Sequence, residues 1–220
     1  MFECLALNSL WLCFSRRTRV FFFEGNVGVG KTECMHGVAS MLREKGHTVL
    51  CIEEDVDRWV NEGLLAAKYQ SDESVFSAYA LLQDYLCRRE RVNDAVQKQS
   101  HEIILVERHP STSLKVFGIG SNVRVKMLFE TVAAALPDFL STAGFTIYIK
   151  NSPHTCFERT KRRNRVDEKG LSEFSFEEWG KAHDDMMTER EAMGGKVFTF
   201  DAFGADSHQL SPSIVSCMGF

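Results

Sequence analysis

Three groups of residues could do chemistry. The first is Gly25-Asn26-Val27-Gly28-Val29-Gly30-Lys31-Thr32, which satisfies G-x-x-x-x-G-K-[ST]. Its glycines let backbone N–H groups turn inward around phosphate oxygens, and a helix starting there adds partial positive charge. Lys31 is then expected on the β- and γ-phosphates of ATP and Thr32 on Mg²⁺. The second is the acid run Glu53-Glu54-Asp55-Val56-Asp57, four carboxylates in five positions, with Glu107-Arg108 at the end of a later apolar run. A carboxylate beside a bound phosphate can accept a hydroxyl proton as that oxygen attacks phosphorus, although spacing alone does not select Glu54. Glu107 is expected in the Mg²⁺ shell and Arg108 beside the transferred phosphoryl group, the bland alternative being a Glu107–Arg108 ion pair. The third is Arg159, Lys161, Arg162, Arg163 and Arg165, five cations within seven residues. Such a run is commonly a solvated helix face. Next to a phosphate loop it suits a flap that stabilises charge on the transferred group and excludes water.

The elements that must position these groups follow from hydrophobic patterning. Short apolar runs at Val20 to Glu24, Thr48 to Glu53, Glu102 to Glu107, Phe145 to Lys150 and Lys196 to Asp201 read as strands. Amphipathic runs at Lys31 to Lys45, Glu73 to Gln99, Val123 to Ser141, Pro153 to Arg163 and Phe176 to Met193 read as helices. Alternation of the two predicts an α/β fold with a doubly wound, five-stranded parallel sheet, ligands lying beyond the carboxyl ends of its strands. The phosphate loop falls between the first strand and the first helix, and the acid run after the second strand. On the second helix Phe76, Tyr79, Gln83 and Leu86 recur at helical spacing, so an amide interrupts an apolar stripe. Either it is a core glutamine held by backbone, or it faces a pyrimidine edge in an apolar slot.

Composition bounds the partners. With 220 residues, 25% charged and 44% hydrophobic, the chain is expected to form one ordinary globular domain. A net charge of −4 argues against a nucleic-acid binder. Seven scattered cysteines without a Cys-x-x-Cys pair read as reduced thiols of a cytoplasmic protein. No apolar stretch predicts a membrane span. Residues 1–19 read as a flexible extension whose arginines follow its apolar part, the wrong order for a secretory signal, with an organelle presequence as the alternative. Residues 20–203 read as the catalytic domain and 204–220 as a peripheral tail. The absence of Asn-Lys-x-Asp makes a GTPase a poor fit.

Several segments resemble the deoxyribonucleoside kinases. Glu54-Asp55-Val56-Asp57-Arg58-Trp59 is similar to that family's Glu-Pro-x-x-x-Trp motif, with Asp55 in place of the proline. Leu82-Gln83-Asp84-Tyr85 resembles its Phe-Gln-x-Tyr segment, and Glu158 to Arg165 its lid. Glu107-Arg108-His109-Pro110 is closer to the Asp-Arg-His-Pro turn of herpesviral thymidine kinases than to the Glu-Arg-Ser of cellular members, which hints at a viral enzyme. The resemblance implies phosphorylation of a deoxynucleoside 5′-hydroxyl by Mg-ATP, thymidine first and deoxycytidine second. It makes Glu54 the base and assigns Trp59, Tyr69, Gln83, Leu86, Arg108, Phe117 and Glu168 to the nucleoside. It sets Arg159, Arg163 and Arg165 on the ATP phosphates and implies a homodimer. The alternatives are a thymidylate kinase and a nucleotide-binding protein without catalysis.

Overall fold

The computed structural model describes residues 18–54, 61, 73–99, 101–117, 123–124, 127–128, 130–131, 144–164, 168, 171–204 and 206–220. Five strands, β1 (Arg19–Glu24), β2 (Val49–Ile52), β3 (Ile103–Glu107), β4 (Phe145–Lys150) and β5 (Lys196–Asp201), form one sheet in the order β2-β3-β1-β4-β5. Every pairing is parallel. Parallel neighbours need crossovers, supplied among the described residues by α1 (Lys31–Glu44), α2 (Glu73–Lys98), α4 (Pro153–Arg163) and α5 (Glu173–Ala192). A short α3 (Thr112–Lys115) follows β3, and α6 (Ser211–Cys217) ends the chain. From β1 the chain crosses to the edge strand β2, returns to place β3 between them, and then adds β4 and β5 on the other side of β1. The carboxyl end of β1 is therefore a topological switch point, where such sheets place ligands.

The three central phenylalanines explain why β1 sits in the middle. Phe21 and Phe23 pack with Met35, Val38, Ala39 and Leu42 of α1, while Phe22 points to the other face with Ile104, Val106 and Val92 of α2. All three rings are fully buried, each worth roughly 1.5 to 3 kcal/mol of transfer free energy. A strand apolar on both faces fits only a sheet covered on both sides. β5 is different: as an edge strand it mixes exposed and half-buried positions despite its apolar sequence.

The carboxyl-terminal stretch departs from expectation. It is not peripheral: Ile214, Val215 and Met218 join the core beside α1, and Arg19 donates to the Met218 carbonyl. Its short, weakly periodic sequence hid this, because one turn of apolar contacts is too little for a helical signal. The α5 helix also starts earlier than the periodicity indicates, at Glu173, since Ser172 caps it by accepting from the Ser175 N–H at 3.3 Å. The expected helix at 123–141 lies mostly outside the described residues, although 123–124, 127–128 and 130–131 are helical. No described helix is long and apolar enough to cross a membrane. Among the described residues, Cys34, Cys51, Cys87, Cys156 and Cys217 form no disulfide.

Candidate active site

The phosphate loop is held by geometry that only glycine permits at two points. Gly25 has φ +142°, and a β-carbon there would lie 2.3 Å from the Ile149 carbonyl oxygen. Gly28 has φ +74°, and its β-carbon would meet Thr160 Oγ1 at 2.4 Å and the Cys156 carbonyl at 2.5 Å. The loop is thereby pressed between β4 and α4. Asn26 fixes its entry, donating from Nδ2 to the Phe176 carbonyl at 2.8 Å and accepting the Val27 N–H at 2.9 Å. Lys31 is buried and donates to the Asn26 carbonyl at 3.0 Å. Burial, then the neighbouring Arg108, pushes its ammonium down to about 8 against the pull of Glu107, Glu54 and Glu24. An incoming phosphate would restore the charge.

Thr32, in the first turn of α1, donates from Oγ1 to Glu107 Oε1 at 2.8 Å. A hydroxyl and a carboxylate oxygen thus stand together beside the loop. Two hard oxygen donors completed by phosphate oxygens suit Mg²⁺, so the residues fit the ion the sequence implies.

The acid run divides cleanly. Glu53 is half-exposed and pairs with His36 at 2.8 Å. Glu54 turns inward, its Oε1 lying 2.8 Å from Arg108 Nε and 3.5 Å from Arg88 Nη2. Burial works against its charge, but Arg108, Arg88 and Lys31 outweigh that and hold the carboxyl well below the usual carboxylate range. Arg108 therefore pairs with Glu54 and not with its sequence neighbour Glu107, which faces Thr32 instead.

Arg108 is the most constrained residue of the site. It has φ +64° without being glycine, a backbone state costing about 1 to 2 kcal/mol that persists only where surroundings impose it. Its Nη1 donates to the Gly25 carbonyl at 2.8 Å and to His183 Nε2 at 3.2 Å, and its guanidinium lies 4.7 Å from the centre of the Phe117 ring. His183 accepts at Nε2 because Nδ1 donates to the Trp179 carbonyl at 2.7 Å. Burial and then Arg108 hold this imidazole well below its ordinary pKa, so the 4.0 Å approach of Glu24 to Nε2 is not an ion pair. Glu24 serves the turn after β3, its Oε1 accepting from the His109 N–H and the Thr112 hydroxyl, both at 2.6 Å.

The lid is organised differently. The α4 helix ends at Asn164, left-handed at φ 54°, a conformation that closes a helix. Arg159 reaches the Val29 carbonyl at 3.4 Å, touching the phosphate loop. Arg163 instead forms a two-point pair with Glu168. The structure therefore gathers Lys31, Thr32, Glu54, Glu107, Arg108, Phe117 and Arg159 around the loop, with Arg163 and Glu168 engaged on each other. Leu86 is 40% exposed and does not join them. Trp59, Tyr69, Arg165 and the side chain of Gln83 lie outside the described residues.

Sequence reading missed Arg88, Glu24, His183 and Trp179. A signal existed for Arg88. The buried stripe of the second half of α2 is Tyr85, Arg88, Val92 and Ala95, a cation within an apolar helical repeat. It lies about 180° round the helix from the Phe76 to Leu86 stripe, at 100° per residue. That explains both the missed arginine and the exposed leucine.

Comparison with known proteins decides the family. The deoxynucleoside kinase profile matches residues 21–213. The chain belongs to the deoxynucleoside kinase family. A thymidine kinase of Ictalurid herpesvirus 1 (strain Auburn) is 30% identical over 165 residues, covering 69% of this chain and 67% of the relative. A thymidylate kinase of Geobacillus sp. (strain WCH70) is 28% identical over 167 residues, covering 70% of this chain and 76% of that one. A deoxyadenosine kinase from M. mycoides, solved with dCMP and a flexible dCDP, superposes with a TM-score of 0.71 at 16% identity, over 91% of this chain and 98% of its own. At that identity the match establishes the P-loop kinase fold. Family and relatives together make this deoxynucleoside kinase chain an ATP-dependent enzyme.

Proposed function

We propose that the protein transfers the γ-phosphoryl group of Mg-ATP to the 5′-hydroxyl of a deoxynucleoside, thymidine first and deoxycytidine second, in nucleotide salvage. The observation that carries this is the inward turn of Glu54 onto Arg108, beside Lys31 and the Thr32–Glu107 pair. Both ion pairs of Glu54 run to Oε1, so Oε2 is the oxygen assigned to the substrate hydroxyl. A carboxylate held so acidic is a weak proton acceptor. Phosphoryl transfer has a loose transition state that asks for little proton removal before the phosphorus–oxygen bond breaks. Glu54 therefore orients the attacking oxygen and takes its proton late, as the new ester bond forms and the β–γ bond of ATP breaks.

Lys31 and the loop N–H groups bind the phosphates, and Thr32 and Glu107 would hold Mg²⁺, which when bound neutralises their charge. Arg108 lies between Glu54 and the loop, suited to the oxygens of the transferred group. Arg163 and Arg165 close on those oxygens once the Arg163–Glu168 pair parts, which frees Glu168 for the 3′-hydroxyl. Gln83 reads the base edge and Phe117, with Trp59, walls the base. Tyr69 completes the pocket from the substrate side.

Thymidine ranks first on the Glu-Arg-His-Pro turn and on the herpesviral relative, which also favours a viral setting. The Geobacillus relative supports a second reading, in which the acceptor is thymidylate. A coupled assay over thymidine, deoxycytidine, deoxyadenosine, deoxyguanosine and thymidylate separates them. Highest kcat/KM on thymidine is expected. Turnover on thymidylate alone would favour the second reading, and none on any substrate with ATP still bound would favour a binding protein.

A further inference from the structure

Arg88 is a buried cation to which phosphoryl transfer as proposed gives no task. Arg88, only 2% exposed, rises from α2 to the carboxyl end of β3. Its Nη1 donates to the Glu107 carbonyl at 2.8 Å and to the Arg108 carbonyl at 3.4 Å, while Nη2 lies 3.5 Å from Glu54 Oε1. One planar guanidinium thus ties together a carboxylate beyond β2 and the two carbonyls of the acid–arginine turn. A fork of fixed geometry can make such a three-way tie, where an ammonium would act as a point charge.

The carbonyls it holds are telling. Glu107 presents its side chain to Thr32, and Arg108 sits in the left-handed conformation at φ +64°. From the other side Arg108 is held through its N–H to the Phe23 carbonyl at 3.0 Å. The turn is therefore pinned from β1 and from α2. Arg88 is the group among these contacts that also reaches Glu54. A shift of about 1 Å in such a constellation can cost on the order of a hundredfold in rate.

We propose that Arg88 is a positioning residue for phosphoryl transfer, fixing Glu54 and the Glu107–Arg108 turn in one frame without itself touching either substrate. It rests on the reading of Glu54 as the group that receives the hydroxyl. It gives the buried face of α2, which carries Arg88 beside Tyr85, Val92 and Ala95, a duty at the site: setting the acid that acts on the nucleoside.

The test is a double-mutant cycle in the full chain, with single-turnover transfer from labelled ATP as readout. Arg88→Met is expected to lower the rate about 10- to 100-fold, with the ATP dissociation constant and nucleoside KM within about twofold. In a Glu54→Gln background the same change is expected to cost several-fold less than in the parent, because its hold on Glu54 no longer counts and only its hold on the Glu107–Arg108 turn remains. Arg88→Lys is expected to recover only part of the rate. Should Arg88→Met fail to fold, Arg88→Lys carries the cycle. Equal losses in both backgrounds, or an unchanged rate in the single variant, would overturn the inference while leaving Glu54 in its role. Full turnover by Glu54→Gln alone would instead remove the reading on which the inference rests.

Discussion

The acid corner where β2 and β3 end and the arginine-rich end of α4 use the same side chains in opposite ways. In the corner, Glu54 and Arg108 form a buried pair at 2.8 Å, backed by Arg88 and by His183. At the lid, Arg163 and Glu168 form a pair whose carboxylate is 10% exposed but whose arginine is 37% exposed, against 2% for Arg108, so the two regions differ in how far the arginine is withdrawn from water. Burying a charge pair is costly, and its members cannot be parted cheaply. An exposed pair is worth about 0 to 1 kcal/mol and exchanges partners readily. On the proposed function, the group that meets the attacking oxygen is thus built into the sheet, whereas Arg163 is held where a ligand can take it over. Catalysis by positioning asks for the first arrangement and closure over ATP for the second.

Removing one member from each region breaks the comparison most directly. Arg108→Met leaves Glu54 with Arg88, at 3.5 Å, as its remaining arginine partner, so a stability loss of about 3 to 5 kcal/mol is expected, with transfer falling on the order of a thousandfold. Denaturant unfolding and steady-state kinetics read both. Arg163→Gln should lower kcat by about 10- to 100-fold while stability stays within about 0.5 kcal/mol of the parent. A comparable loss of stability at Arg163 would mean that the lid is as structural as the corner.

A smaller effect sharpens the same contrast through pH. Burial lowers the Lys31 ammonium to about 8, and the contact with phosphate proposed for it uses the charged form. Below that pH, ATP affinity is expected to be flat with respect to this group. Above it, binding must take up a proton, so affinity should fall by up to about tenfold per pH unit. Titration calorimetry in buffers of different ionisation enthalpy would detect the proton uptake, and affinity unchanged to about pH 9.5 would contradict it.

Much of this arrangement was legible in the residues. Strand and helix positions followed from the switch between apolar runs and helical spacing, with Phe145–Lys150, Lys196–Asp201 and Pro153–Arg163 matching to the residue. Phosphate-loop residues could be named because backbone geometry dictates glycine there. What could not be read was which partner each charge chooses. Glu53 and Glu54 are chemically alike in sequence, and only the end of β2 at Ile52 turns one to His36 and the other to Arg108. Arg108 lies next to Glu107, yet its left-handed backbone sends the two side chains to different partners. Arg88 needed the burial of Val92 and Ala95 to reveal which face of α2 meets the sheet. The apolar contacts of Ile214 and Val215 come from α1, nearly two hundred residues away in sequence, and leave no local pattern.

The most direct test of the account compares two conservative changes one residue apart. Glu54→Gln and Glu53→Gln would be assayed for thymidine phosphorylation together with ATP affinity. Glu54→Gln is expected to lose about a thousandfold or more in kcat with ATP affinity retained, and Glu53→Gln to stay within about twofold of the parent in both. Equal turnover by the two variants, or a loss confined to Glu53→Gln, would contradict the assignment of Glu54 as the group that receives the nucleoside hydroxyl.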